Sequence, residues 1–94
     1  GGNNVIISVG EKCLIGANAG VGIPLGDRCT IEAGLYVTAG SVVQLISESG
    51  ESAGQVKARD LAGKSDLLFR RNSKTGAIEA LSNKSVIELN KELH

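Results

Sequence analysis

Hydrophobic positions between Val9 and Val43 recur with a period of six residues. Written in units, this stretch reads VGEKCL, IGANAG, VGIP, LGDRCT, IEAGLY and VTAGSV, and an aliphatic residue opens every unit. A small residue usually follows the aliphatic one. Self-similarity at period six is the signature of a parallel β-helix, in which each hexapeptide forms one short strand and its corner. The strict apolar–polar alternation that ordinary hairpins show is missing. The pattern therefore predicts an all-β fold built on a parallel β-helix.

Three hexapeptides make one coil of a narrow prism, because six residues at about 3.3 Å each form one side. The opening residues of successive coils should then stack on one another. The unit VGIP has four residues, and we interpret it as a corner shortened by two, with Pro24 fixing the local backbone. Glycines are expected at corners that need positive φ. The predicted stacked pairs are Val9 with Leu25, Ile15 with Ile31, and Val21 with Val37.

Two cysteines, Cys13 and Cys29, occupy the same compact position of successive units. They are expected to stack, one coil apart, facing the interior. A disulfide is conceivable, but reduced thiols are favoured because the sequence carries no secretory feature. The sequence also has no apolar run of membrane length. We therefore expect a cytoplasmic protein without a membrane partner.

The chain after the repeat predicts hairpins. Residues 1–46 are interpreted as β-helix coils, and 47–94 as a hairpin extension. Near the end, a capping box at Ser85–Glu88 and a strand over Val86–Leu89 are both compatible with the pattern, and the strand is preferred. The predicted elements of the extension are a strand Val42–Ile46, a loop Ser47–Gly54, a returning strand Gln55–Arg59, a turn Leu61–Ser65, a strand Asp66–Arg71, a turn Asn72–Gly76 and its mate Ala77–Leu81.

The chain length and the first residues suggest one small domain that is part of a longer protein. The chain has 94 residues, no Met, and Gly1-Gly2 at its start. A domain of this size is close to the limit at which a single core suffices. A solenoid that opens inside its own repeat would also expose an unpaired coil end. We expect the chain to be the C-terminal part of a longer protein.

Positive charge is concentrated in one segment of a neutral chain. Ten basic side chains balance ten acidic ones overall, yet residues 57–74 carry six basic groups against two acidic ones. Such a cluster can be a solvated face. Two features favour phosphate binding instead: the cluster follows a rigid β-helix, and the run Arg70-Arg71-Asn72-Ser73 supplies donors at a turn. Because adjacent strand residues point to opposite faces, both arginines converge only if the turn at Asn72 bends the chain.

Catalytic groups are scarce in this sequence. The single histidine, His94, is the last residue, and one histidine cannot make a zinc site. Glu11 and Asp27 fall at corners, whereas Glu32 follows an opening residue and should face outward, bordering a groove. We assign no catalytic and no metal-binding residue. One Phe and one Tyr leave little stacking surface for nucleic acid.

Four runs of residues carry a family resemblance: GANAGVGIPLGD, IEAGLYVTAG, VKARDLAGKSDLLFRRNS and IELNKELH. They resemble the C-terminal portion of the tetrahydrodipicolinate N-succinyltransferases, a family of hexapeptide-repeat acyltransferases. The resemblance covers nearly the whole chain. The runs FRRNS and EAGLYVTAG are much more specific than the hexapeptide pattern, which many transferases share. Residues 47–54 are the part without a match.

The resemblance implies a left-handed parallel β-helix that forms a homotrimer through packed β-helices. It implies transfer of succinyl from succinyl-CoA to the amine of ring-opened tetrahydrodipicolinate, in lysine and diaminopimelate biosynthesis. The catalytic glutamate and any magnesium-binding carboxylates are expected upstream, in the remaining N-terminal part of the protein. By the same resemblance, the residues expected along the pantetheine arm are Ala17, Glu32, Ala33 and Gly40, and those expected at the nucleotide end are Lys57, Arg70, Arg71, Asn72 and Ser73.

Two alternatives stay open at the level of sequence. One is another CoA-dependent hexapeptide acyltransferase, because a fold does not fix the acceptor. The other is a non-catalytic trimerisation solenoid whose basic hairpins bind a partner or nucleic acid.

Overall fold

The structure is a computed structural model that describes residues 6–82. The described part is built from short strands and one 3-10 helix, Ala58–Leu61. Within it, no helix has the length and apolar character that a membrane-spanning segment needs. The strand suggested for Val86–Leu89 lies outside the described residues. The strands are β1 Leu14–Ile15, β2 Gly20–Val21, β3 Thr30–Ile31, β4 Tyr36–Val37, β5 Val42–Ile46, β6 Ser52–Lys57, β7 Leu67–Arg71 and β8 Ile78–Ser82.

The repeat folds into stacked parallel coils. Strand β1 pairs in parallel with β3, and β2 pairs in parallel with β4. An isolated parallel bridge joins Val9 and Leu25, the first residues of the first and fourth units. All three predicted pairs are confirmed in register: Val9 with Leu25, Ile15 with Ile31, and Val21 with Val37. The four-residue unit therefore shortens the coil by two residues without shifting the phase of the stack.

The corners of the repeat use glycine only partly as expected. Positive φ falls on the fourth residue of several units, at Lys12, Asn18 and Arg28, with φ near 60° in each case. The glycines after the opening residues are needed for close approach instead. A Cβ at Gly16 would collide with the backbone of Ala33 in the next coil. The expectation of positive φ is confirmed for Gly34, a corner glycine with φ of 76°, and is wrong for the glycines after the opening residues, which let the coils stack at strand spacing.

The extension continues the β-helix rather than standing apart from it. Strand β7 pairs in parallel with β3, so that Phe69 lies beside Ile31. The approach to β7 is fixed to the coil below by the amide of Asp66, which donates to the carbonyl of Asp27 at 2.8 Å. At the same corner, Arg28 Nε and Asp66 Oδ1 form an ion pair of 2.7 Å. Residues 63–71 thus form one side of a third coil.

Two antiparallel hairpins complete a six-stranded sheet with the order β1-β3-β7-β8-β5-β6. The β7–β8 hairpin is confirmed, although Asp66 lies outside the strand because its φ is 60°. The predicted loop Ser47–Gly54 is too long, since β6 already begins at Ser52. The tight turn is closed by the Gly50 amide on the Ser47 carbonyl at 2.9 Å. The returning strand ends at Lys57, where Asp60 Oδ2 accepts from the Lys57 amide and starts the 3-10 helix.

Burial increases from the first coil to the third. Val9 and Ile15 remain 49% and 37% exposed, whereas Ile31 is 1% exposed. The difference arises because Ile31 has a described coil on both sides and Ile15 has one on a single side. The core consists of Ile23, Leu25, Cys29, Ile31, Leu35, Val37, Val43, Ala58, Leu61, Phe69 and Ala80.

The two cysteines are free and sit in successive coils, but their burial differs. Cys29 is fully buried, whereas Cys13 is half-buried because it lies in the first coil. Cys13 Sγ donates to the Gly26 carbonyl at 3.2 Å, and Cys29 Sγ donates to the Lys64 carbonyl at 3.3 Å. Burial raises the pKa of the Cys29 thiol above its ordinary value. The expected inward stacking is confirmed for Cys29 and only partly for Cys13.

In this folded chain Cys29 should therefore react with iodoacetamide much more slowly than Cys13 at pH 8. Alkylation requires thiolate and access, and burial of Cys29 blocks access and, by raising the pKa of its thiol, lowers the thiolate fraction. Mass spectrometry of peptides after timed labelling gives the two rates. In denaturant the two rates should become similar. Equal native rates would show that the Cys29 side of the coil is not packed as described.

Candidate functional site

One corner of the β-helix brings most of the predicted site residues into a column. The register aligns Ile15, Ile31 and Phe69 in three successive coils, so the residues that follow them share one edge. These are residues 16–17, 32–33 and 70–71. The Gly34 amide donates to the Ala17 carbonyl at 2.8 Å, and the Glu32 amide donates to the Phe69 carbonyl at 3.0 Å. The column joins small exposed residues below to arginines above.

An open cleft of about 360 Å³ lies at the top of this column, at the turn between β7 and β8. We call it the basic cleft. Four of its lining residues were predicted from the sequence for the nucleotide end, and two were not. The residues that line it are Arg70, Arg71, Asn72, Ser73, Lys74 and Glu79.

Arg70 and Arg71 enter the cleft from opposite faces of β7. Both lie within the strand, and the turn predicted to begin at Asn72 follows them. They still line one cleft because β7 ends at Arg71, and the turn folds back beside both side chains. Arg71 Nη1 donates to the Gly76 carbonyl at 2.9 Å, which leaves most of its guanidinium donors outside this bond.

Glu32 fastens the cleft to the coil below. Its Oε1 accepts from the backbone amide of Arg71 at 3.3 Å, and its side chain is exposed. The outward orientation predicted for Glu32 is therefore confirmed. The bond ties the end of β7 to the corner that Glu32 shares with Ala33.

The turn from Asn72 to Gly76 is organised by the Asn72 side chain. Asn72 Oδ1 accepts from the amides of Lys74 and Thr75 at 2.9 and 3.1 Å. The Gly76 amide donates to the Asn72 carbonyl at 2.8 Å, and Gly76 has φ of 78°. Asparagine favours such turns because its side chain imitates a backbone acceptor. The turn amides thus have fixed directions at the rim of the basic cleft.

Glu79 is an acidic side chain among the cations of the cleft. Its two oxygens accept from Arg70 Nε at 2.9 Å and Asn72 Nδ2 at 3.1 Å. The hydrogen bonds from Asn72 and Arg70 lower the pKa of Glu79 below its ordinary value. A lowered pKa means that this carboxylate adds stability above the ordinary carboxyl range and loses that contribution as the pH falls through the lowered pKa.

The basic cleft has the chemistry of a polyanion site. Three cations, Arg70, Arg71 and Lys74, face one carboxylate that is already paired. Guanidinium groups and turn amides match phosphate oxygens in geometry and charge. The residues present therefore fit the nucleotide phosphates that the sequence analysis expected here. Within residues 6–82, no group of three or more His, Cys, Asp or Glu side chains could hold a metal ion.

Two predicted site residues lie elsewhere. Lys57 lies on the edge strand β6, where it pairs with Val42 of β5. Gly40 lies near it, because the Arg59 amide donates to the carbonyl of Ala39. Strands β8 and β5 separate β6 from β7. Three strand spacings place the Lys57 backbone about 14 Å from that of Arg71. The third cation of the cleft is therefore Lys74, not Lys57, because β6 forms the far edge of the sheet.

Lys74 and Glu79 were not singled out as site residues from the sequence. Lys74 was counted in the basic segment, and its position in the turn Asn72–Gly76 was an available signal. Glu79 stands opposite Arg70 in the register of β7 and β8, and an opposite-charge cross-strand pair is a recognisable pattern. The predicted turn Asn72–Gly76 would instead place Glu79 opposite Phe69, one residue away from the observed register, so the predicted strands alone do not find the pair.

Comparison with known proteins gives consistent matches. The family model described as the hexapeptide repeat of succinyl-transferase matches residues 2–39. Matches over the whole of this chain include the 2,3,4,5-tetrahydropyridine-2,6-dicarboxylate N-succinyltransferases of Vibrio cholerae, at 65% identity, and of Pseudomonas putida, at 66%. Each match covers 100% of this chain and 27% of the relative. The chain thus spans about a quarter of the length of these relatives.

A solved structure matches in three dimensions as well. A Campylobacter jejuni protein described as a 2,3,4,5-tetrahydropyridine-2-carboxylate N-succinyltransferase superposes with a TM-score of 0.79 and 34% identity. The match covers 93% of this chain and 25% of that one. Together these findings confirm the family resemblance and the fold class, an all-β left-handed parallel β-helix followed by β-hairpins.

Proposed function

Because the chain is similar over its whole length to part of the tetrahydropyridine-2,6-dicarboxylate N-succinyltransferases, we propose that it supplies the donor site of such an enzyme. The donor is succinyl-CoA, and the acceptor is the amine of ring-opened tetrahydrodipicolinate. The reaction belongs to lysine and diaminopimelate biosynthesis. The single observation that carries the proposal is the basic cleft at the head of a column of small corner residues.

The nucleotide end of the donor binds in the basic cleft. Arg70, Arg71 and Lys74 offer positive charge, and Asn72 and Ser73 offer turn donors. A multiply charged phosphate ligand gains most from several charge-assisted hydrogen bonds at once. Glu79 offsets one of these three positive charges, so the cleft keeps an excess of positive charge.

The pantetheine arm runs along the corner column below the cleft. Ala17 and Ala33 are exposed there and present small side chains beside backbone amides and carbonyls. A thin, uncharged arm needs such a shallow surface. Gly40 and Lys57 lie together at the β5–β6 edge of the sheet. They contact the donor if the donor extends beyond the corner of Ala17 and Ala33. Glu32 connects both parts through the amide of Arg71.

Succinyl transfer requires a catalytic base, which we do not assign to any residue of the described range 6–82. The acceptor amine attacks the thioester carbonyl, a base takes its proton, and hydrogen-bond donors stabilise the oxyanion. The residues described here bind and orient the donor, which lowers the barrier by holding the thioester in place. We place the base, a glutamate, in the part of the enzyme upstream of this chain, as the family resemblance implies. We also propose a cytoplasmic homotrimer formed by packed β-helices.

Release of coenzyme A tests this function. The enzyme that contains this chain is incubated with succinyl-CoA or acetyl-CoA, with and without tetrahydrodipicolinate, and free thiol is measured. Thiol release should require the acceptor and should be faster with succinyl-CoA at equal concentration. Faster release with acetyl-CoA would favour a different hexapeptide acyltransferase. Binding of the coenzyme without any release of free thiol would indicate a non-catalytic solenoid.

A further inference from the structure

Glu79 is unusual among the described residues because it is both charged and buried. Within residues 6–82 it is the one buried charged residue, with 8% of its surface exposed. A buried carboxylate costs free energy unless hydrogen bonds satisfy it. Here Arg70 satisfies one oxygen and Asn72 the other. The carboxylate therefore has a defined position between two residues of the basic cleft.

Coulomb's law alone gives no reason for an anion at this place. A negative charge beside a phosphate site repels the ligand and should weaken its binding. A site selected only for charge would have a neutral residue opposite Arg70. The structural role of Glu79 must offset that repulsion.

We propose that Glu79 is a positioning residue for the anionic end of the acyl donor, acting through Arg70 and Asn72. The proposal rests on the proposed function of the basic cleft and deepens it. Glu79 itself does not touch the ligand. It fixes the two groups that do.

The effect on Arg70 is to fix a flexible side chain. Arg70 and Glu79 are directly opposite in the antiparallel register of β7 and β8. The bond to Glu79 uses the Nε–H of Arg70. The guanidinium has four further N–H donors on its terminal nitrogens, which this bond does not use. An arginine held in this way loses less side-chain entropy when it binds phosphate.

The effect on Asn72 is to fix the orientation of its amide. With Nδ2 donating to Glu79, Oδ1 faces the turn and accepts from Lys74 and Thr75. Without Glu79 the amide can rotate and release these turn amides. Glu79 thereby holds both walls of the cleft, β7 through Arg70 and the turn through Asn72.

The charge and positioning effects have opposite signs, which makes the proposal testable. Glu79→Gln removes the negative charge and one acceptor while keeping the size of the side chain. Pure electrostatics predicts tighter binding of the donor, whereas loss of positioning predicts weaker binding. We expect the Michaelis constant for succinyl-CoA to rise about three- to tenfold, the loss of roughly one hydrogen bond. The kcat should stay unchanged, because the lost contact is made equally in the ground and transition states.

Matched variants separate positioning from general damage. Glu51→Gln makes the same charge change at an exposed residue of the β5–β6 turn and should leave both constants unchanged. Glu79→Asp keeps the charge but shortens the side chain, so it should also raise the Michaelis constant. This variant keeps the test usable if Glu79→Gln does not fold. With succinyl-pantetheine, which lacks the nucleotide, neither Glu79 variant should differ from the unsubstituted enzyme.

Coupling to Arg70 gives a further readout. In an Arg70→Ala background, Glu79→Gln should cost less than it does alone, because one of its two partners is already gone. Arg71→Ala, measured in parallel, tests the proposed function itself. If Arg71→Ala weakens donor binding while both Glu79 variants leave the Michaelis constant unchanged or lower it, positioning is refuted and the cleft stands. If Arg71→Ala also has no effect, the proposed function has failed.

Discussion

Replacing Arg71 with Ala is expected to raise the Michaelis constant for succinyl-CoA about ten- to a hundredfold, the loss of one charge-assisted contact. Arg71 lines the basic cleft, and one bond to the Gly76 carbonyl holds its guanidinium at the rim. The Michaelis constant for the amino acceptor should hardly change, because the cleft contacts only the nucleotide end. Steady-state kinetics with each substrate varied in turn measures both constants.

Two comparisons make this expectation specific. Lys64→Ala removes a cation from the same coil at a different corner, away from the cleft residues, and should have little effect. Succinyl-pantetheine lacks the nucleotide phosphates, so the penalty of Arg71→Ala should shrink with this donor. An equal rise in the Michaelis constant with succinyl-pantetheine would mean that the basic segment is a solvated face and does not bind the nucleotide.

Replacing Ile31 with Ala is expected to lower the free energy of unfolding by about 2–5 kcal/mol, as for other buried aliphatic truncations. Ile31 lies between Ile15 below and Phe69 above, and only 1% of it is exposed. Its removal leaves a cavity between two coils. Denaturant unfolding at a fixed protein concentration measures the loss, since association would otherwise shift the midpoint.

Ile15→Ala is the matched control, because it removes the same side chain from the same repeat position. In this chain Ile15 is 37% exposed, so its truncation removes about two thirds of the buried area lost at Ile31 and should cost correspondingly less. Glu51→Ala, at an exposed turn residue, should cost under about 0.5 kcal/mol. If Ile31→Ala proved no more harmful than Glu51→Ala, the stacked ladder would be wrong.

The coils could be predicted from the sequence because the period of the repeat determines which residues stack on one another. An aliphatic residue every six positions, with one unit shortened at Pro24, specifies that Ile15 lies beneath Ile31. The pairing of Ile31 with Phe69 could not be predicted in the same way. Between them the hexapeptide pattern stops, and the chain leaves the prism for the β5–β6 hairpin. No local pattern in a 38-residue separation says where the chain returns to the stack.

The candidate site was predictable to the extent that its residues are consecutive. Arg70 to Ser73 stand side by side in the sequence, and both their charge and the family resemblance mark them. Lys57 was placed with them because the sequence does not give the strand order, which puts β6 at the far edge. Glu79 was missed because a single acidic residue in a strand has no distinguishing feature until its partner is known.

The position of coenzyme A in a crystal of the enzyme tests the central claim most directly. The claim is that the turn between β7 and β8 holds the nucleotide phosphates while the arm follows the corner of Ala17 and Ala33. The account predicts phosphate oxygens within hydrogen-bonding distance of the guanidinium of Arg70 or Arg71. A coenzyme bound with its nucleotide away from this turn, and with the basic cleft filled only by solvent, would contradict it.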